Sequence, residues 1–409
     1  VERRRVLVLA YFFPPLGGAG VQRTLKFVRY LEPLGWVATV VSTRSRHYPA
    51  RDPSLLDEVP ESAEVLRTRA VPLANWLSLV PYQLGLKRVA AVLNWPDGGI
   101  GWMPFALATA LRAARRDRPD VIYSSSTPQS GHISALIVSR VIGVPWVADF
   151  RDEWAADAFR ADQPRILARL AARLERGLVR NASRVVVAAD YFRLEGLAED
   201  DPRRMVIVNG VDEADLPASV TPQSDRFVLS HVGTVYGIRD PSPVLRALGR
   251  LIHDGLIDGE RFTVRLVGSL WLERFEPPPG VRVERTGYVG HATAVEEMCK
   301  ATALLLYVPS SSLAPSGKLF EYLASGRPIL SVTGPKNLAS RLVKGWSAGA
   351  VADPSDEAAI EEALLALWQR WLENGLPDQP EVRRKTLERY SRRRTAEQLA
   401  RVLDEAASD

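Results

Sequence analysis

Short runs dense in Val, Leu and Ile, four to six residues long, alternate along this chain with stretches whose apolar residues recur at helical period. Runs that are apolar at nearly every position are strands covered on both faces, and parallel strands of that kind need crossover helices between them. The alternation therefore restricts the chain to the α/β class. Strands are expected at Val6–Ala10, Val37–Ser42, Val65–Arg69, Val121–Ser124, Trp146–Asp149, Arg184–Ala188 and Met205–Val208. Between the first two, Val21, Leu25, Val28 and Leu31 form one stripe facing a sheet, which leaves Lys26 and Arg29 expected in water. Further helices are expected near Pro104–Arg115, Ser130–Ile142 and Ile166–Arg180.

The alternation breaks at Asn209-Gly210-Val211-Asp212 and crosses a polar, proline-bearing stretch before it resumes. The second series has strands at Phe227–His231, Phe262–Val267, Val281–Arg285, Ala303–Tyr307 and Ile329–Val332. Its helices lie near Pro243–His253, Ala292–Lys300, Gly317–Ala324 and Glu357–Trp371. A chain of 409 residues is too long for one core. The expected organisation is two doubly wound, Rossmann-like domains at 1–208 and 226–380, joined by a linker at 209–225. Charge-rich C-terminal helices at 381–409 would pack back toward the first domain. Ligands of open α/β sheets bind outside the C-terminal ends of the strands, so the active site is expected in a cleft across which the two domains face.

Charge and composition exclude several classes. The net charge of +5 over so long a chain is too thin for a nucleic-acid partner. Seven Lys against 46 Arg reads as codon bias, yet it gives each Lys weight. The single Cys299 forms no internal disulfide and no structural zinc site, which points to a reducing, cytoplasmic compartment. No two Asp stand two residues apart, so the Asp-x-Asp arrangement that holds a divalent metal is missing and no metal site is expected. The basic, apolar start reads as a buried strand rather than a leader, because it runs through Pro14-Pro15 and a glycine turn into an amphipathic helix. No stretch reaches the roughly 20 apolar residues of a membrane span. Between Pro72 and Trp102, however, Trp76, Leu77, Leu79, Tyr82, Leu86, Lys87, Arg88 and Trp95 interleave apolar with basic character. They either fill a core or acceptor pocket or make a peripheral contact with the inner face of a membrane.

Two segments carry phosphate chemistry. Gly17-Gly18-Ala19-Gly20 follows the first strand and opens a helix, where glycines let amides approach an anion. It is not a dinucleotide fingerprint, since Arg23 stands where the third Gly belongs; a nucleotide-dependent oxidoreductase is disfavoured accordingly. In Ser310 to Leu330 a strand ends in a small-residue loop, a helix starts near Ser316 and Gly317, and Gly326 and Pro328 stop it. That loop offers amides to a diphosphate and Lys318 adds a cation, while a carboxylate so near phosphate, Glu321, suits sugar hydroxyls such as those of a ribose.

Taken in order, Gly18-Ala19-Gly20, Val208-Asn209-Gly210-Val211-Asp212, His231-Val232-Gly233-Thr234 with Arg239, Gly287-Tyr288-Val289 and Gly317-Lys318-Leu319-Phe320-Glu321-Tyr322 resemble the retaining glycosyltransferases of family 4, which have the GT-B fold. The resemblance implies metal-independent transfer of a sugar from a nucleoside diphosphate sugar, of the UDP or GDP type and with no other cofactor. The acceptor would be a saccharide, a lipid-linked molecule or a small molecule. It implies that Arg239 and Lys318 neutralise the leaving diphosphate, Glu321 holds the ribose, and Gly233, Thr234, Ser316, Gly317 and Leu319 line the donor. Gly268 and Tyr288 would border the base, and Gly18 would approach the diphosphate from the first domain. Two positions depart from the family: Leu313 stands where many members carry a first Glu, and Thr234 where others carry an Arg. The reading is of a subtype, with a catalytically silent nucleotide-sugar binder that partners an active transferase as the alternative. His132, at a strand-to-helix turn, is a candidate hydrogen-bond or proton donor to the donor sugar or leaving phosphate. Asp149, Arg151 and Asp152 either bind acceptor or brace the cleft as a salt-bridge network.

Overall fold

The computed structural model describes residues 3–44, 50–71, 81, 83–155, 164–217, 225–236, 240–272, 275–308 and 317–409. The chain divides into two units, residues 1–209 with 392–409, and residues 210–391.

In the first unit, β1 (Arg4–Leu9), β2 (Trp36–Thr43), β3 (Glu64–Thr68), β4 (Val121–Ser125), β5 (Trp146–Phe150), β6 (Arg184–Val187) and β7 (Arg204–Val206) form one sheet in the order β3-β2-β1-β4-β5-β6-β7. Every pairing is parallel. Both faces of β1 are used: Val6 and Val8 enter one core, and Leu7 and Leu9 the other. The first core is closed by α1 (Ala19–Leu31) and, from the far end of the chain, by a terminal helix, Arg392–Ser408, through Leu399, Val402, Leu403 and Ala406. Trp36 Nε1 donates to Asp404 Oδ1 at 3.1 Å and fixes that helix in register. The second core lies under α3 (Met103–Arg116), α4 (Ser130–Ile142) and α5 (Arg165–Asn181); a short α2 (Lys87–Leu93) precedes them. The order of strands reverses between β1 and β4, which places the turn after β1 beside the loop after β4 at a topological switch point.

The second unit repeats the plan. Strands β8 (Phe227–Val232), β10 (Phe262–Val267), β12 (Arg282–Gly287), β13 (Ala303–Tyr307), β14 (Ile329–Val332) and β15 (Gly349–Ala352) form a parallel sheet in the order β12-β10-β8-β13-β14-β15. Two-residue strands β9 (Val235–Tyr236) and β11 (Leu270–Trp271) pair beyond it. One face is covered by α6 (Ser242–His253) and α10 (Glu357–Asn374), where Phe227 stacks on Phe262 at 4.6 Å beside Trp368 and Trp371. The other face meets α7 (His291–Lys300), α8 (Lys318–Ser325) and α9 (Leu338–Gly345).

Two expectations need correction. The segment 381–409 is not one set of helices: α11 (Pro380–Tyr390) lies in the second unit, and α12 (Arg392–Ser408) in the first. Arg383 of α11 donates to the carbonyls of Ala324 (3.0 Å) and Ser325 (2.6 Å), filling acceptors that the end of α8 leaves open. Lys26 does not point to water: it is buried, and its ammonium meets Glu58 at 2.5 Å, with Arg29 on the same carboxylate oxygen at 2.8 Å. A buried cation persists only when paired, and Glu58 supplies the pair. Of the segment weighed as either core or lipid contact, its last residue, Trp102, is a core residue, with Nε1 donating to Thr68 Oγ1 at 2.7 Å. Trp76, Leu77, Leu79 and Tyr82 of that segment fall outside the described residues.

Candidate functional site

Each unit carries a cluster of polar residues at the C-terminal ends of its parallel strands. In the first, Gly18 at φ +87° turns the chain from β1 into α1, a conformation costly for any residue with a Cβ. The next turn of α1 sends Arg23 inward. Its guanidinium grips Asp149, at the end of β5, through Nε to Oδ2 (2.9 Å) and Nη2 to Oδ1 (2.8 Å). It also donates to the carbonyls of Ile207 (2.8 Å) and Val208 (3.2 Å). Tyr123 Oη (2.6 Å) and Ser125 Oγ (3.0 Å) fill the remaining acceptor capacity of Asp149. Burial alone would raise the Asp149 carboxyl; the Arg23 charge and these donors overcome it and hold the group below the usual carboxylate range.

Asp149 is thus consumed by a brace, with Arg23 rather than Arg151 as its partner. Arg151 donates to the carbonyls of Gly20, Ser126 and Thr127, tying the glycine turn to the loop after β4. It forms no salt bridge among the described residues, and burial lowers its pKa. Asp152 is exposed and accepts from Thr127 Oγ1 at 3.1 Å. Of the three residues weighed for acceptor binding, Asp152 is the one whose carboxylate reaches solvent.

His132 lies in the first turn of α4 and is fully buried between Trp146 and Phe150. Trp146 Nε1 donates to Ser124 Oγ at 2.7 Å, and Ser124 Oγ shares a hydrogen bond with His132 Nδ1, also at 2.7 Å. Its Nε2 is buried and has no hydrogen-bond partner among the described residues. Burial pushes the imidazole down to about 3, with Asp149 opposing and Arg151 reinforcing the shift. His132 is therefore a neutral imidazole and not the group of ordinary pKa that proton transfer near neutrality would use. The start of α4 is capped by Asp97, which accepts from Ser130 N (2.9 Å), Ser130 Oγ (3.0 Å) and Gly99 N (2.8 Å).

In the second unit, Gly233, Gly268 and Gly287 end β8, β10 and β12 with positive φ. They crowd together: a Cβ on Gly268 would come within 2.8 Å of the Gly233 carbonyl, and Gly268 bridges to Gly287. Lys318, the first residue of α8, lies across Gly233 so closely that a Cβ there would sit 2.2 Å from Lys318 Cε. Its ammonium is 3.1 Å from His231 Nε2, while His231 Nδ1 faces the Leu305 carbonyl at 3.0 Å. The carbonyl requires the proton on Nδ1, so Nε2 accepts from Lys318. Tyr322, a turn later, takes the Val232 amide on its hydroxyl at 2.8 Å and pins the end of β8. Glu321 is half-buried one turn from Lys318, Gly317 and Tyr288 are exposed, and Thr234 is half-buried. Leu319 turns its side chain fully into the core, so only its backbone is available to a ligand. Arg239, Ser316 and Leu313 fall outside the described residues.

Sequence reasoning assigned no role to Arg23, Tyr123, Asp97 or His231. Arg23 was visible only as the residue breaking a glycine fingerprint; its partner is 126 positions away.

Residues 17–210 match a family model described as a glycosyl transferase 4-like domain. No curated protein matches the sequence. Among solved structures, Alr3699/HepE of Anabaena in complex with UDP and glucose is similar with a TM-score of 0.62 at 16% identity, over 98% of this chain and 100% of that one. The N-terminal domain of a trehalose-6-phosphate phosphatase from Candida albicans gives a TM-score of 0.65 at 10% identity, over 98% and 96%. The apo form of the lipopolysaccharide outer core galactosyltransferase WaaB gives 0.57 at 12%, over 98% and 99%. These likenesses, with the two strand orders above, show a GT-B fold of two Rossmann-like domains, whose residues 17–210 are related to glycosyl transferase 4-like domains.

Proposed function

We propose that this chain is a retaining, metal-independent glycosyltransferase that moves a sugar from a UDP- or GDP-type nucleoside diphosphate sugar to an acceptor hydroxyl. The observation that carries the reading is the cluster in the second unit: a lysine held by a histidine across a glycine, at the start of a helix whose next turn carries a half-buried carboxylate. When the bond from the anomeric carbon to the diphosphate breaks, negative charge grows on the leaving oxygens. Lys318, with Arg239, stabilises that charge, and a cation already in place costs no reorganisation at that moment. Glu321 accepts from the ribose hydroxyls, Gly233, Thr234, Gly317 and the Leu319 backbone border the phosphates, and Gly268 and Tyr288 border the base. In the first unit the glycine turn at Gly18 offers its amides to an anion, and neutral His132 serves as a hydrogen-bonding group for a sugar hydroxyl. Arg151 and Asp152 serve the acceptor side, and Asp149 positions the strand end that bears them. The relatives in complex with UDP support a nucleotide-sugar donor.

A panel of nucleotide sugars screened for thermal stabilisation identifies the donor, and transfer by the purified chain alone, undiminished by a chelator, tests the reaction. Leu313, where the family carries a glutamate, favours one second reading, a silent binder that works beside an active transferase. Stabilisation by a nucleotide sugar without turnover across an acceptor panel supports that reading; turnover excludes it.

A further inference from the structure

Helix α5 (Arg165–Asn181) buries Leu167, Ala171, Leu178 and Val179 against the first unit. Its acidic residue, Glu175, is buried too, accepting from the amides of Ala155 (3.0 Å) and Glu195 (2.7 Å). The outward face is then left with Arg165, Arg169, Arg173, Arg176 and Arg180, and with two exposed aliphatic side chains, Ile166 (66% exposed) and Leu170 (43%). Residues 166, 169, 170 and 173 fall at i, i+3, i+4 and i+7, one stripe in which aliphatic and guanidinium groups are neighbours. Arg176 pairs with Glu195 at 2.9 Å, whereas Arg165, Arg169, Arg173 and Arg180 meet no carboxylate among the described residues. Some exposed arginines elsewhere are matched, as Arg116 is with Glu64 and Asp117, Arg246 and Arg250 with Glu357, and Arg384 with Glu381 and Glu388. Others, such as Arg115 and Arg370, also meet no carboxylate among the described residues; what distinguishes α5 is four such groups on one helix face beside two exposed aliphatic chains.

We propose that this face of α5 docks the chain on an anionic lipid bilayer. The unmatched guanidinium groups meet headgroup phosphates, and Ile166 and Leu170 enter the acyl boundary between them. A nucleic acid would satisfy the charges and leave the two aliphatic chains in water, so lipid is the occupant that uses the whole stripe. Helix α5 connects parallel strands β5 and β6, so its N-terminal half, where Ile166 and Leu170 lie, is at the strand end that bears Arg151 and Asp152. Docking needs no donor chemistry. The corollary, that the acceptor is carried on a lipid, does rest on the transferase reading.

The test is co-sedimentation of the full chain with vesicles of phosphatidylcholine alone or with about one-quarter phosphatidylglycerol, where each basic residue near the surface contributes roughly fivefold in affinity. Expected are pelleting with the anionic vesicles only, release at high salt, and a loss of about twentyfold or more for Arg169→Glu with Arg173→Glu. Ile166→Ser with Leu170→Ser should cost about tenfold at unchanged charge. These positions are exposed, so thermal midpoints and stabilisation by nucleotide sugars should match the parent in every variant. No pelleting, equal pelleting on neutral vesicles, or indifference to the α5 variants would overturn the proposal. So would loss confined to Val89→Ser with Val92→Ser on α2, or tighter binding to a short RNA than to the vesicles.

Discussion

Arg23 and Asp149 are both removed from water, and a buried ion pair is tolerable only while both partners are present. Arg23→Leu strands a carboxylate that Tyr123 and Ser125 alone must solvate, and should destabilise the first unit by about 3–5 kcal/mol in denaturant unfolding. Arg23→Lys should recover little, because an ammonium cannot meet both carboxylate oxygens and the carbonyls of Ile207 and Val208 together. His132 titrates in the opposite sense to a paired histidine. Its native pKa of about 3 lies below the unfolded value near 6.5, so its contribution is complete above pH 6.5 and is lost as the unfolded state takes up a proton on acidification. The chain should lose about 1.4 kcal/mol between pH 7.5 and pH 5.5 on this account alone, and His132→Gln should lack that component. An unchanged slope in the variant would show that the imidazole is not buried neutral.

At the scale of elements, the terminal helix completes a core begun by the first strand. Leu399 is fully buried among residues of β1, β2 and α1, so Leu399→Ala should cost about 2–5 kcal/mol, more than truncation of an exposed leucine such as Leu372 on α10. Denaturant unfolding of the two variants checks it; equal effects would mean that the helix is not part of that core. Most strands were legible because Val, Leu and Ile fill both faces of a parallel sheet and leave a largely apolar run, unbroken in Ala303–Tyr307 and interrupted by Thr263 and Arg265 in Phe262–Val267. Strand β15 was not, since Gly349-Ala350-Val351-Ala352 has little side-chain volume to mark it; a Cβ on Gly349 would lie 2.0 Å from the Ile329 carbonyl. The eight-residue α9 before it is too short to show a period. The break between α11 and α12 carries no Gly or Pro, and the charge-rich sequence runs through it.

Over the whole molecule, one architectural plan is built twice, and the same position in each sheet, the outlet of parallel strands beside the switch point, gathers the polar residues. The sequence located those outlets because glycines, small residues and lone charges interrupt apolar runs there. What it could not give was pairing: Lys26 with Glu58, Arg23 with Asp149 and Lys318 with His231 join residues 32, 126 and 87 positions apart, and no local pattern encodes such distances. The first two pairings hold the fold, whereas Lys318, whose partner His231 is uncharged, is on the reading proposed above left to a ligand. Calorimetry of UDP and GDP with the purified chain, with and without chelator, is the most direct test of that division. One nucleotide should bind with chelator present, Glu321→Ala should weaken it by about 1–3 kcal/mol, and Lys318→Ala should do likewise. Affinity unchanged in both variants, or no binding of either nucleotide by the parent chain, would contradict the assignment of the second unit as the donor site.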